Sequence, residues 1–295
     1  MRLAILANSD SWYLSDLRRA AAGRHEIAAV GFRDLVSSVE SDKLEVTAAG
    51  IDLVAADAVL VRTMPPGTLE QVVFRMDSLG RLEESGVLVI NPPRAIEVAV
   101  DKYLALARMA AAGLRVPRTV VCQTPESAMA AFESLGGDVV VKPLFGSEGR
   151  GIARLQDEAL ASRAFRTLAQ LGSVLYVQEF IPHDGFDLRV LVIGERMFAI
   201  GRRSEHDWRT NVSRGATAEP VELTAELANA ARRAADAVGA PLAGVDLLPG
   251  RDGELYALEV NAVPGWQALA AALDVDIARV VLEYVERAAK QKVIS

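Results

Sequence analysis

The chain has 295 residues, of which 51% are hydrophobic and 24% are charged, and its formal net charge is −7. This acidity argues against a general nucleic-acid binder, and no apolar run is long enough to span a bilayer. Cys122 is the only cysteine, which excludes an internal disulfide and a cysteine-based zinc site. The three histidines are widely spaced, which argues against a three-histidine metal site. We therefore expect a reduced, cytoplasmic protein with neither a nucleic-acid nor a membrane partner.

The first third of the chain alternates short apolar runs with helical patterns. Strands are predicted at 3–7, 27–32, 58–61 and 87–90, and helices at 15–22 and 69–84. Repeats of strand, helix and strand predict a mostly parallel sheet flanked by helices. The pair Pro92-Pro93 marks the first boundary, so this α/β domain covers 1–93.

The remainder is richer in strands and predicts an α+β arrangement. A helix is predicted at 95–112, strands at 119–122, 139–142, 152–155 and 174–180, and helices at 127–135 and 158–171. Two strands at 188–193 and 196–202 flank a tight turn, and a helix follows at 223–238. A hairpin of 243–248 and 254–260 precedes a terminal helix at 277–290. We divide this part into a central lobe, 94–175, and a C-terminal lobe, 176–295.

Oxygen-bearing side chains cluster on the last predicted hairpin. Alternation along the strand places Glu259 and Asn261 on one face, and Asp246 lies on the preceding strand. Two carboxylates and an amide form an all-oxygen pocket, which suits Mg2+, and Mg2+ commonly accompanies nucleotide phosphates. The alternative is a set of polar residues on the wet face of an edge strand.

A second pattern joins an apolar strand to a glycine-rich loop. Lys142 ends the strand, and Gly146, Gly149 and Gly151 follow. Such glycines let backbone N–H groups wrap an anion, to which the lysine adds a point charge. The spacing matches neither a P-loop nor a dinucleotide fingerprint, so a glycine-rich turn is the alternative.

Two further segments suggest ligand contacts. The strand that leads through Gln178 and Glu179 into Pro182 can offer backbone hydrogen bonds to adenine and a carboxylate to ribose, or it can be an ordinary surface strand. Arginines then cluster beside apolar strands and in the following loop, and their forks suit a doubly anionic substrate unless they form a solvated charge run. Those arginines are Arg189, Arg202, Arg203, Arg209 and Arg214. Nothing suggests a Ser-His-Asp triad.

These motifs together resemble the RimK-type ATP-grasp ligases over roughly the last two thirds of the chain. The resemblance rests on separated motifs in one order: Lys102, Lys142 with its glycine loop, Gln178-Glu179, Asp187-Leu188-Arg189, Arg209-Thr210-Asn211, Asp246, and Glu259-Val260-Asn261 with Pro264-Gly265. The segment 61–77 resembles the subgroup that adds L-glutamate to pterin or deazaflavin coenzymes.

The resemblance implies an ATP-grasp fold, in which two α+β lobes enclose ATP beside an N-terminal parallel-sheet domain. It implies ATP contacts from Lys102, Lys142, Gly146, Ser147, Gly149, Gln178, Glu179, Phe180, Ile181, Asp187, Arg209, Thr210 and Asn211. It implies two Mg2+ ions, replaceable by Mn2+, on Asp246, Glu259 and Asn261. We assign catalysis to Arg189, Arg203 and Lys142, and substrate contacts to Arg202, Arg214 and Trp266, although a tryptophan is not expected after the proline in this family.

The implied reaction joins L-glutamate to a carboxylate of a small coenzyme, for which we favour a tetrahydromethanopterin-like acceptor. The carboxylate would attack the γ-phosphate of ATP to give an acyl phosphate, and the glutamate amine would then displace phosphate. Alternatives are a methanofuran-type acceptor, a protein, peptide or amino-group carrier tail, and a non-catalytic nucleotide-binding subunit. By the same resemblance we expect a homo-oligomer, either a dimer or a tetramer.

Overall fold

A computed structural model describes residues 1–41, 43–146, 150–210 and 215–294. The N-terminal part contains β1 (Arg2–Leu6), α1 (Trp12–Ala21), β2 (Glu26–Val30), β3 (Leu35–Glu40), β4 (Lys43–Ala48), β5 (Ile51–Asp52), β6 (Ala58–Val61), α2 (Leu69–Glu84) and β7 (Leu88–Ile90). Strands β1, β2, β6 and β7 form a parallel sheet in the order β2-β1-β6-β7, as the alternating pattern predicted. The sequence analysis missed the small antiparallel sheet β3-β4-β5, whose strands carry few apolar residues in a row.

The central part contains α3 (Pro93–Val100), α4 (Lys102–Ala111), β8 (Thr119–Cys122), α5 (Pro125–Ser134), β9 (Val139–Lys142), β10 (Ala153–Leu155), α6 (Glu158–Gln170) and β11 (Leu175–Glu179). Its antiparallel sheet has the order β10-β9-β11-β8. The single helix expected at 95–112 is wrong, because Asp101 interrupts it. The Asp101 carboxylate accepts hydrogen bonds from the Tyr103 and Leu104 amides and caps α4. Lys102 therefore begins a new helix.

The C-terminal part contains β12 (Phe186–Ile193), β13 (Arg196–Arg203), β14 (Thr217–Pro220), α7 (Ala225–Val238), β15 (Leu242–Pro249), β16 (Leu255–Asn261), α8 (Gln267–Leu273) and α9 (Ile277–Ile294). The sheet order is β14-β13-β12-β15-β16, with antiparallel neighbours throughout. The short elements β14 and α8 were not predicted. The domain boundaries at 93/94 and 175/176 stay predictions.

The parallel sheet and the C-terminal sheet share one core. Leu3 and Ile5 of β1 belong to the same buried cluster as Leu191 of β12, Trp266 and Val281 of α9. Asn91, which is completely buried after β7, strengthens this junction: its side-chain amide donates to the carbonyls of Leu242 and Ala262, and its oxygen accepts from the Leu242 amide. The N-terminal sheet is thereby held against the end of β16. Among the helices described, none is long and apolar enough to cross a membrane.

Candidate active site

A cleft lies between the central antiparallel sheet and the C-terminal sheet. Side chains from β9, β11, β12, β13, β15 and β16 meet in it, together with the loop after β13. The sequence-predicted residues that line it are Lys142, Gln178, Glu179, Phe180, Ile181, Asp187, Arg202, Arg209, Thr210, Asp246 and Glu259. The predicted residues Ser147, Gly149, Asn211 and Arg214 lie outside the described residues.

Lys142 extends into the cleft from the end of β9 and is held there by Gln178. Its ammonium donates to the Gln178 side-chain oxygen at 2.7 Å. Gln178 is 2% exposed, and its amide nitrogen donates to the Thr119 hydroxyl at 2.8 Å. Gln178 therefore positions Lys142, and its expected contact with adenine stays a prediction. Burial lowers the pKa of Lys142 to about 8, against the opposing effect of the Glu259 carboxylate.

A second lysine approaches the same loop from α4. Because Lys102 begins this helix, its Nζ reaches the backbone oxygen of Gly146 at 2.5 Å. Gly146 has a φ of 141°, a region that favours glycine, at the start of the predicted anion loop. Lys102 is close enough to Lys142 to help lower the pKa of Lys142. Two cations beside one glycine loop form a site suited to a polyphosphate.

Aromatic residues surround the opposite end of the cleft. The Phe180 ring is packed under the Arg154 guanidinium at 3.4 Å and meets the Trp208 ring edge-on at 5.8 Å. Both carboxylate oxygens of Glu179 accept from Arg118, at 2.7 Å each, which fixes the carboxylate at the cleft wall. Trp208 and His183 also line this end. The sequence analysis missed them, although a tryptophan next to Arg209 in a polar loop was an available signal.

Four charged side chains from three neighbouring strands form a buried network on the cleft floor. Arg202 donates to both oxygens of Asp187, at 2.7 and 2.5 Å, and approaches Asp246 at 3.1 Å. Arg189 donates to both oxygens of Asp246, at 2.7 and 2.9 Å. Burial raises the pKa of Asp187 despite Arg202. For Asp246 the two arginines outweigh burial and hold the pKa of that carboxyl below its usual value.

The strand register corrects the predicted catalytic role of Arg203. Asp187 pairs with Arg202 across β12 and β13, whereas Arg203 pairs with Phe186 on the other face. A shift of one residue reverses the face of a strand side chain. Arg203 accordingly lies over the Phe186 ring at 4.7 Å, and its side chain is 46% exposed. Arg202 is the member of the pair that faces the cleft.

The predicted metal ligands lie on two adjacent strands. Asp246 of β15 faces Glu259 of β16, and Asn261 follows two residues later on the same face. The Asn261 oxygen accepts from the Val263 amide at 2.8 Å. No hydrogen bond or ion pair engages the Glu259 carboxylate within the described parts of the chain. Asp246 receives three N–H groups, and a carboxylate offers about four lone-pair positions, so its Oδ1 retains one.

These three residues fit Mg2+ because every donor is a hard oxygen. Within the described residues, no group of three or more His, Cys, Asp or Glu side chains gathers as metal ligands. As ligands, Asp246, Glu259 and Asn261 would fill only part of an octahedral shell, which is the usual arrangement when phosphates and water supply the rest.

Trp266 is fully buried, which corrects its expected contact with substrate. Its ring lies 4.2 Å from the Arg62 guanidinium and meets the Tyr13 ring edge-on at 4.9 Å. The indole N–H donates to Asp16 at 3.0 Å. The ring supports the loop after β16 from below. The sequence analysis did not single out Arg62, because two of its neighbours, Pro264 and Trp266, are more than 200 residues away along the chain.

Lys142 on one wall of the cleft and the oxygen-bearing side chains of Asp246 and Glu259 on the other form the arrangement expected of an ATP-grasp enzyme. The model of the RimK-like ATP-grasp domain matches residues 99–285. The chain is 35% identical over 281 residues to tetrahydromethanopterin:alpha-L-glutamate ligase of Methanosarcina acetivorans, covering 85% of this chain and 86% of that protein. It is 32% identical over 300 residues to the ligase of the same name from Methanococcus maripaludis, covering 99% and 100%.

The fold is also similar to that of solved structures. The ATP-grasp ligase PsnB, complexed with a minimal precursor, superposes with a TM-score of 0.78 at 24% identity, over 97% of this chain and 98% of that chain. PsnB has also been solved with this precursor, Mg and ADP, a structure that superposes with a TM-score of 0.75. The chain belongs to the RimK-like ATP-grasp family, and it is an ATP-dependent ligase. The predicted fold class is confirmed.

Proposed function

We propose that the protein uses ATP and Mg2+ to join L-glutamate to a carboxylate of a small coenzyme, with a tetrahydromethanopterin-like acceptor favoured. The observation that carries the chemistry is the placement of Lys142 opposite Asp246 and Glu259 in one cleft. The acceptor preference is supported by the names of relatives that are 35% and 32% identical and match most of the chain.

The reaction must bring a carboxylate against a triphosphate, and charge repulsion is the main barrier. Lys102 and Lys142 would hold the phosphates under the loop that begins at Gly146, while the backbone near Ile181 and the Phe180 end of the cleft would hold adenine. Asp246, Glu259 and Asn261 would hold two Mg2+ ions, or Mn2+ in their place. When bound, these ions would neutralise charge on the transferred phosphoryl group.

Once the acceptor carboxylate has attacked the γ-phosphate, ADP leaves and an acyl phosphate remains. The glutamate amine then attacks the carbonyl, a C–N bond forms, the amine loses a proton, and phosphate departs. We assign the stabilisation of the tetrahedral oxyanion to Arg189, since it lies beside the loop after β16: a Cβ on Gly244 would be 3.1 Å from Pro264 and 3.8 Å from the Arg189 guanidinium carbon. No protein nucleophile is needed.

The test is to incubate the protein with ATP, Mg2+, L-glutamate and one candidate acceptor at a time, and to measure product mass. We expect tetrahydromethanopterin to gain one or more glutamyl residues only when ATP and Mg2+ are both present. Deazaflavin, methanofuran-type and peptide acceptors form the comparison set. Modification of a peptide alone would replace the proposed acceptor class, and gain of another amino acid would replace glutamate. ATP binding without any product would favour the non-catalytic alternative.

The expected homo-oligomer is part of the same proposal. Light scattering during size-exclusion chromatography should give a mass of two or four chains, whereas a mass of one chain would contradict it.

A further inference from the structure

An arginine that has no acidic partner among the described residues lies beneath the junction of the parallel sheet and the C-terminal lobe. Arg62 is 6% exposed, and one of its terminal nitrogens donates to the Pro264 carbonyl at 2.6 Å. Its Nε and other terminal nitrogen are buried and have no hydrogen-bond partner in the part of the chain that the structure describes. Its contacts with Trp266 and Tyr13 engage the face of the guanidinium, at 4.2 and 5.1 Å. Because the N–H groups point outward in the guanidinium plane, stacking leaves them unsatisfied.

The position of Arg62 within the sheet is one at which α/β proteins bind ligands. The chain leaves β1 for β2 on one side and leaves β6 for β7 on the other, so the topological switch point lies between β1 and β6. Ligands of open parallel sheets bind in the crevice beyond the carboxyl ends of the strands at this point. Arg62 is the first residue after β6, and its amide continues the pairing by donating to the Leu6 carbonyl.

Two neighbouring features complete the surroundings of Arg62. Helix α1 begins beside the switch point, its N-cap Ser11 makes no side-chain capping bond, and its first turn contains no acidic residue. The loop after the metal-binding strand approaches from the other side: a Cβ on Gly265 would be 2.4 Å from the Tyr13 hydroxyl. Only the four residues 262–265 separate the predicted metal ligand Asn261 from Trp266 of this cluster.

We propose that Arg62 binds a non-reacting carboxylate of a substrate at the switch point, through N–H groups that lack hydrogen-bond partners among the described residues. The inference rests on the proposed function, which requires two carboxylate-bearing substrates, the acceptor and the dicarboxylic amino acid. The half-buried Tyr13 ring lies 5.1 Å from the Arg62 guanidinium, and the proposal requires this ring to move aside when the carboxylate binds. The aromatic surroundings strengthen the ion pair, since an apolar environment screens charge weakly.

The proposal also gives the two kinds of carboxylate different partners. Pro264 is near both arginines: its carbonyl accepts from Arg62, and a Cβ on Gly244 would lie 3.1 Å from Pro264 and 3.8 Å from the Arg189 guanidinium carbon. A carboxylate on Arg62 is then a second binding point, apart from the carboxyl or amine that reaches the cleft. Such a device lets the ligase recognise a dicarboxylate without activating both of its ends.

The test compares Arg62→Met with Arg75→Met in the full-length protein. Arg75 is a matched control because it is 8% exposed, donates to the Pro65 carbonyl at 2.7 Å and contacts the Phe32 ring, away from Pro264. L-glutamate and tetrahydromethanopterin are titrated separately, by calorimetry, into each protein saturated with Mg2+ and a non-hydrolysable ATP analogue. We expect Arg62→Met to lower the affinity for one of the two ligands at least tenfold. The affected ligand identifies the substrate whose carboxylate Arg62 binds.

A merely structural role would give different results. We expect nucleotide affinity to change less than twofold, discrimination between L-glutamate and L-glutamine or between the acceptor and its amide to be lost, and Arg62→Lys to restore binding in part. The inference would be overturned if Arg62→Met left the affinity for both carboxylates unchanged, or if it weakened nucleotide binding equally. It would also be overturned if Arg75→Met had equal effects, or if neither carboxylate bound to the wild-type protein. Carboxylate binding that depends on Arg62 without any glutamyl product would refute the proposed function alone.

Discussion

Asp246 and Glu259 face each other across β15 and β16, yet they differ in their partners. Asp246 receives hydrogen bonds from Arg189 and is also approached by Arg202, whereas Glu259 has no such bond within the described residues. The Asp246 carboxylate is thus positioned before any metal arrives, and the Glu259 carboxylate is available to it. As metal ligands, the two residues would combine a carboxylate that is already fixed with one that is available.

We therefore predict that Glu259→Gln weakens metal binding without destabilising the fold. Removal of a ligand should lower Mn2+ affinity in the presence of ADP by at least about tenfold, as measured by electron paramagnetic resonance. The urea unfolding free energy should change by less than about 1 kcal/mol, because no native bond is lost. Glu254→Gln, on the same hairpin but exposed, is the control. Equal Mn2+ affinity in both variants would remove Glu259 from the metal site.

The register of β12 and β13 predicts that substitutions at two adjacent arginines lower the unfolding free energy by different amounts. Arg202→Ala leaves the buried Asp187 carboxylate uncompensated and should cost about 3–5 kcal/mol of unfolding free energy. Arg203→Ala removes a half-exposed contact with Glu219 and a contact with the Phe186 ring, and it should cost less than about 1 kcal/mol. Urea unfolding of the two variants decides the matter, and a larger loss from Arg203→Ala would reverse the assigned faces.

The burial of Lys142 predicts that the unfolding free energy of the ligand-free protein depends on pH. Burial lowers the pKa of Lys142 to about 8, whereas an unfolded lysine titrates near 10.4. Below pH 8 the Lys142 side chain is charged in both the folded and the unfolded protein, so the folded protein bears the full cost of burying that charge. Between about pH 8 and 10 the folded protein loses the proton first, and the unfolding free energy should rise by up to about 3 kcal/mol relative to a variant without this group.

Unfolding of wild-type protein and Lys142→Met at several pH values measures this difference. The variant should be the more stable of the two near pH 7, and the gap should close as the pH approaches 10. The exposed Lys290→Met is the control and should follow the wild type. A constant gap between wild type and Lys142→Met would show that the Lys142 ammonium bears no burial cost.

Gly265, in the loop after β16, lies close to the Tyr13 side chain of α1. A Cβ on residue 265 would be 2.4 Å from the Tyr13 hydroxyl but 3.3 Å from the ring carbon that carries it. Gly265→Ala should therefore cost about 1–3 kcal/mol, and Tyr13→Phe in the same chain should recover at least about 1 kcal/mol. Gly80→Ala in α2, with open space around it, is the control. If the losses of unfolding free energy from Gly265→Ala and Tyr13→Phe were strictly additive in the double variant, the contact between the two residues would be contradicted.

The sequence predicted those parts of the site that depend on local pattern. An apolar run that ends in a lysine placed β9 and Lys142 correctly, and alternation placed Glu259 and Asn261 on one face of β16. The tight turn between β12 and β13 was also predicted correctly, since Ile193 pairs with Arg196. Local pattern succeeds here because strand length and side-chain alternation are set by neighbours along the chain.

The predictions from sequence fail where the local structure depends on a contact that is distant along the chain or on a single side chain. The faces of Arg202 and Arg203 depend on strand register, which one residue of slippage inverts. The break at Asp101 depends on a capping bond within an otherwise helical pattern. The burial of Trp266 and the isolation of Arg62 depend on packing between opposite ends of the chain, which no local pattern reveals.

The most direct test of the ligase assignment measures ADP release with and without the acceptor in wild-type protein and in Glu259→Ala. We predict that sustained ADP release over many turnovers of the wild type requires ATP, Mg2+, the acceptor and L-glutamate together. Release by Glu259→Ala should be lower by about a hundredfold or more, while its circular dichroism and unfolding transition remain those of the wild type. Full activity in Glu259→Ala, or release that ignores the acceptor, would contradict the account.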